Sequence, residues 1–137
     1  MKKLLTAALL FSAMSAPAIA GWHDYWYTNS NNLSFSYDIS NLGGAAMYTP
    51  SDDSVTFTTG NIATCQSADV KNKVDGRTIA FKRFVSGRLC VYKPQSKSDE
   101  DYIVNQFKSK QVVTWQSYNI PAKGFDYILK KNNSKKI

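Results

Sequence analysis

Thr78-Ile79-Ala80-Phe81-Lys82-Arg83-Phe84-Val85-Ser86-Gly87-Arg88-Leu89-Cys90-Val91-Tyr92 is the stretch that decides the fold. Thr78 to Val85 is rich in β-branched and aromatic residues, Ser86-Gly87 punctuates the run, and Arg88 to Tyr92 resumes β character, so the stretch reads as a β-hairpin whose second strand carries Cys90. Going back along the chain, the same pattern recurs. Val55-Thr56-Phe57-Thr58 alternates, and Leu33-Ser34-Phe35-Ser36-Tyr37 places apolar residues at odd positions and serine at even ones. That period of two predicts a half-buried strand with Phe35 in the core. Gly43-Gly44, Pro50-Ser51-Asp52-Asp53, Gly60-Asn61 and Asp75-Gly76 are breaks or turns; Ala45 to Tyr48 and Ile62 to Cys65 read as further short strands or continuations.

Going forward, the period changes after Pro94. Ser98 ahead of Asp99-Glu100-Asp101 has the chemistry of a helix N-cap with acidic residues at the positive end of the helix dipole. Ile103, Val104 and Phe107 then form an apolar stripe. Gln111 to Trp115 returns to strand character, Pro121 interrupts an extended segment, and Phe125, Ile128 and Leu129 predict a closing helix from Gly124 to about Lys131. The expected fold is α+β: one small domain, a mostly antiparallel sheet of about six strands, and two short helices in the C-terminal third.

The chain opens on an export pattern. Lys2 and Lys3 precede the apolar stretch Leu4 to Met14, and Ser-Ala-Pro-Ala-Ile-Ala at positions 15–20 has the small residues that signal peptidase cleaves after. The apolar stretch is shorter than the roughly 20 residues that span a bilayer. Residues 1–20 are therefore expected to be a cleaved signal peptide and 21–137 the exported domain, with no transmembrane segment after cleavage and a periplasmic or secreted location. In an oxidising compartment the two cysteines, Cys65 and Cys90, are expected to form a disulfide.

Charge is divided along the chain. The net charge of +7 falls to +5 without Lys2 and Lys3. Between Gly21 and Val70 there is no Lys or Arg, against Asp24, Asp38, Asp52, Asp53 and Asp69, whereas from Lys71 onward 15 basic residues face five acidic ones. Two readings are open: opposite signs that neutralise one another across the folded surface, or a basic face for an anionic partner such as a membrane surface, lipopolysaccharide or an acidic protein. Export argues against nucleic acid. The basic tail Lys130 to Lys136 reads as frayed and solvated.

Catalytic parts are scarce. His23 is the only histidine and stands near the expected mature N-terminus, so a Ser-His-Asp triad or a Cys-His pair would depend on one poorly anchored group, and a metal site of several His and Cys ligands cannot be assembled. Nucleotide-loop and nucleophile-elbow motifs do not occur. Paired carboxylates among Asp52, Asp53, Asp99, Glu100 and Asp101 are better explained by turns and helix capping. No cofactor is expected. Aromatic content is the stronger lead: Phe35, Phe57, Phe81, Phe107, Trp115 and Phe125 are expected in the core, while Trp22, Tyr25, Trp26 and Tyr27 form either a lid on the sheet or a binding platform.

The run Cys90 to Leu129 resembles the closing part of the invasion-associated locus B family of exported bacterial proteins. The likeness rests on a Cys-bearing strand, the acidic-start helix at Ser98 to Val104, the strand Gln111 to Trp115, and Ile120-Pro121-Ala122-Lys123-Gly124-Phe125. It lacks a second cysteine soon after Cys90. The resemblance implies a small β-rich periplasmic or surface protein, linked in some pathogens to host-cell entry and without established catalysis. The expected function is a non-enzymatic, exported binding protein of the envelope or of host interaction. It would engage a protein or an anionic envelope component through Arg77, Lys82, Arg83 and Arg88 with Trp22 and Trp26. The alternative is an inhibitor or immunity protein that blocks a toxic or cell-wall hydrolase.

Overall fold

Turn chemistry sets the strand boundaries. In the computed structural model, which describes residues 21–135, Asp75 and Gly76 both take positive φ (47° and 87°) between β6 (Ala68–Val74) and β7 (Arg77–Ser86). This is the left-handed pair that matches the twist of a two-residue hairpin. Gly87, at φ 62°, opens the turn into β8 (Leu89–Pro94). The hairpin read from the sequence is present, with Phe84 opposite Val91 and Val85 opposite Cys90.

Ten strands form one antiparallel sheet, not six. Before the central hairpin come β1 (Gly21–His23), β2 (Trp26–Thr28), β3 (Ser34–Tyr37), β4 (Gly44–Thr49) and β5 (Ser54–Thr59); after it come β9 (Val112–Trp115) and β10 (Tyr118–Pro121). The order across the sheet is β1-β2-β3-β4-β5-β8-β7-β6-β9-β10. The additional strands escaped periodicity for separate reasons. β1 and β2 are three residues each inside an aromatic run. β6 carries Asp69, Lys71 and Lys73 on its exposed side, which reads as a charged loop. β10 ends in Pro121, tolerated because this is an edge strand. Ile62–Thr64 is a 3-10 turn rather than a strand.

The two helices are α1 (Lys97–Ser109) and α2 (Phe125–Lys135). Ser96, not Ser98, caps α1, its hydroxyl accepting from the Asp99 N–H at 3.2 Å. The closing helix runs past Lys131, and Asn132 is buried with Nδ2 donating to the Ile128 carbonyl, so the expected frayed tail is helical as far as Lys135. No helix among the described residues is long and apolar enough to cross a membrane.

The sheet rolls on itself. Tyr118 packs on Gly44, where a Cβ would overlap its ring, and Trp115 of β9 stacks on Phe57 of β5 at 4.7 Å. These strands lie four places apart in the sheet, so the contact closes the roll across a shared interior. Phe107 of α1 and Phe125 of α2 complete that interior with Trp26 and Tyr48. The expected core residues Phe57, Phe81, Phe107, Trp115 and Phe125 are all buried; Phe35 is not.

Candidate functional site

Strand register divides the aromatic residues between two faces. In the β1/β2 hairpin Trp22 pairs with Tyr27 and His23 with Trp26, so Trp22 and Trp26 point to opposite sides although their numbers share parity. Trp26 enters the core against Phe107 and Phe125 at 5.5 and 5.1 Å and is fully buried. It is not a surface group, which corrects its selection as a binding residue. Trp22 is 65% exposed and tilts against Tyr27 at 5.2 Å.

From Trp22 the register continues over four strands on the outer, convex side. Tyr27 lies opposite Phe35, Phe35 opposite Met47, and Met47 opposite Thr56. A second row runs Tyr37, Ala45, Thr58, Val91, Phe84. Phe35 and Tyr37 stack at 6.4 Å, Tyr37 is 41% exposed, and both helices pack on the inner side instead.

The alternation of β3 is thus inverted from expectation. Ser34 and Ser36 are buried and the aromatics face out. The reason is the close approach of β10: Ser36 Oγ donates to the Pro121 carbonyl at 2.7 Å, pairing an edge-strand acceptor that would otherwise be orphaned inside. Ser34 Oγ and Thr28 Oγ1 pair with each other at 2.8 Å. Asp38 completes the seam. Its carboxylate accepts from the Asn119 N–H at 2.8 Å, from the Ser40 N–H and hydroxyl, and from the Asn41 N–H. The Asn119 N–H is the largest cause holding the Asp38 carboxyl below its ordinary value; burial opposes it, and the Ser40 and Asn41 donors add to the lowering.

Further round the outer side, past the buried positions Ala45, Thr56, Thr58 and Val91, the outward residues are basic. Lys82 lies directly opposite Lys93 on one side and Asp69 on the other, and Lys71 and Lys73 are exposed on the same side of β6. Like charges facing across strands cost stability, so the Lys82/Lys93 pair is not something the sheet needs. Two of the three arginines do other work. Arg77 pairs with Asp99 at 2.9 Å and lies over the Tyr102 ring at 4.6 Å, tying α1 to the sheet. Arg83 Nε donates to the Gln66 carbonyl at 2.8 Å, bracing the loop that carries Cys65. Arg88 stands exposed at the hairpin tip.

The cysteines meet as expected. Cys65 and Cys90 form a disulfide with Cα atoms 5.7 Å apart, joining the segment after β5 to β8. Three of the five carboxylates weighed for catalysis have structural partners: Asp53 accepts from the Tyr48 hydroxyl at 2.6 Å, Asp101 pairs with Lys97 at 2.8 Å, and Asp99 holds Arg77. Burial, then the Asp53 carboxylate, push the Tyr48 hydroxyl well above its ordinary value, so it stays a donor. His23 packs on the Tyr127 ring at 4.5 Å.

Tyr27, Phe35, Tyr37, Lys71, Lys73 and Lys93 join Trp22 and Lys82 on this outer side; of the six, the sequence singles out only Tyr27, as part of an aromatic lid or platform. A period of two shows that a strand has two faces without showing which is inner. The burial of Ser36 depends on Pro121, 85 positions away. No protein-family model, no curated protein and no solved structure matches this chain.

Proposed function

We propose that this is an exported, non-enzymatic binding protein that docks on an anionic component of the bacterial envelope through the convex face of its sheet. One observation carries the reading: outward aromatic side chains on β1–β3 and outward lysines on β6–β8 both stand on the outer side of the rolled sheet, opposite the side on which the two helices pack. Exposed contiguous aromatics are costly unless used, and Trp, Tyr and Lys are the side chains that seat a protein at an anionic, partly apolar surface. The resemblance of the C-terminal third to the invasion-associated locus B family points the same way. The Cys65–Cys90 disulfide supports an extracytoplasmic location.

The test is co-sedimentation of the mature protein with vesicles of anionic phospholipid and with zwitterionic vesicles. Binding to the anionic vesicles alone is expected, weakening with added salt and with Lys82→Glu/Lys93→Glu. Equal binding to both vesicles, or binding to neither, overturns the reading.

A further inference from the structure

A second surface feature shares none of those aromatic rows. A cleft of about 600 Å³ opens where the end of α1, the start of β9 and the entry to α2 meet the loops of the first half. Phe107 and Ala122, both nearly fully buried, are its floor. Ile39 and Val112 stand on its walls at 64% and 47% exposure, and Lys108, Lys110 and Lys123 stand around it.

The walls are fixed before any ligand arrives. The Ala122 N–H donates to the Gln111 carbonyl at 2.9 Å and the Tyr25 N–H to the Lys123 carbonyl at 3.2 Å. Gly124, at φ 105°, lies so close to the His23 carbonyl that a side chain there would overlap it, which holds the β1/β2 turn against the start of α2. The charges are largely unspent. Among the described residues neither Lys108 nor Lys110 has an ion pair, and Lys123 reaches Asp24 only at 4.0 Å. Asp126 also lines the cleft, but its place in the first turn of α2 is accounted for by the helix dipole.

A preformed cavity in the roughly 300–1,000 Å³ range, apolar at its base with a few convergent polar groups, is the form of a small-molecule site. We infer that this cleft binds an amphiphilic anion, an apolar body on Phe107, Ala122 and Val112 carrying a carboxylate or phosphate held by Lys108, Lys110 and Lys123. The apolar floor alone would accept a neutral ligand; three amines against the single Asp126 carboxylate leave the rim net positive, which selects a negative one.

The probe is monomeric dodecanoate titrated into the mature protein, read by the methyl NMR signals of Val112 and Ala122, with dodecanol and inorganic phosphate as the apolar-only and charge-only controls. Saturable one-to-one binding of dodecanoate is expected, with dodecanol at least tenfold weaker and phosphate giving no saturable shift. Lys108→Gln/Lys110→Gln/Lys123→Gln should weaken dodecanoate at least tenfold, equivalent to about 1.4 kcal/mol. Val112→Gln, at an exposed position, should weaken dodecanoate and dodecanol alike. Trp22→Thr should change neither, separating this site from the convex face. Absence of saturable binding, equal affinity for dodecanoate and dodecanol, or binding that survives the triple lysine variant overturns the inference.

Discussion

β3 and β7 belong to one sheet and obey opposite rules. In β7 the arrangement is the usual one, with Ile79 and Phe81 in the core and Lys82 in solvent. In β3 the serines are inside and the aromatics outside. Ser36 is needed inside because β10 brings the Pro121 carbonyl, which requires a donor, and Ser34 pairs there with the buried Thr28 hydroxyl. Nothing in the packing of the core requires Phe35, Tyr37 or Tyr27. Where a fold explains the residues turned inward but not those turned outward, the outward ones are the candidates for a partner.

Removing aromatic rings tests that contrast most severely. Phe81→Ala empties a site packed between Phe57 and Tyr92 and should cost about 3–5 kcal/mol, whereas Phe35→Ala should cost about 1 kcal/mol. Urea unfolding of the two variants measures both, and equal losses would return Phe35 to the core.

The boundary between the two regions is the next target. The Cys65–Cys90 disulfide closes a 25-residue separation across it, and replacing both cysteines by alanine should cost about 3–4 kcal/mol in the chain-entropy account. Thermal unfolding checks this, and a midpoint unchanged by the replacement would mean that the other contacts between the regions already restrict the chain.

The β3/β10 seam gives a smaller, pH-dependent effect. Asp38→Asn removes the charge that four donors converge on and should cost about 1.5–3 kcal/mol at neutral pH. Because the folded carboxyl titrates below its ordinary value, the stabilisation is fully present above about pH 4 and is lost as pH falls through the depressed folded value. The stability difference between Asp38→Asn and the native protein should therefore shrink on acidification; a difference that stays constant with pH would assign Asp38 no charge-dependent role.

The parts of the fold carried by local chemistry were legible in the sequence. The Asp75-Gly76 turn, the hairpin around Gly87, the Ile103/Phe107 stripe and the pairing of two cysteines each follow from neighbouring residues or from a count. The candidate face was legible only in fragments, namely Trp22, Tyr27 and Lys82. The Trp22/Trp26 division depends on a hairpin register that sends equal parity to opposite faces. Arg77 and Arg83 looked available until Asp99, Tyr102 and the Gln66 carbonyl came into place beside them. The charge asymmetry does map onto the sheet, because β1–β5 stay contiguous. Yet the first half's aspartates sit in turns, at the seam or, for Asp69, within β6 opposite Lys82, which leaves the outer side of β1–β3 aromatic rather than acidic.

The central claim is that the convex aromatics serve a partner and not the fold. It is tested most directly by Trp22→Thr/Tyr27→Thr/Tyr37→Thr, with threonine retaining strand preference, measured side by side for urea stability and for co-sedimentation with anionic vesicles. The account predicts a stability loss of no more than about 1 kcal/mol together with loss of vesicle binding. A variant that unfolds several times more easily than this, or one that still binds the vesicles like the native protein, contradicts it.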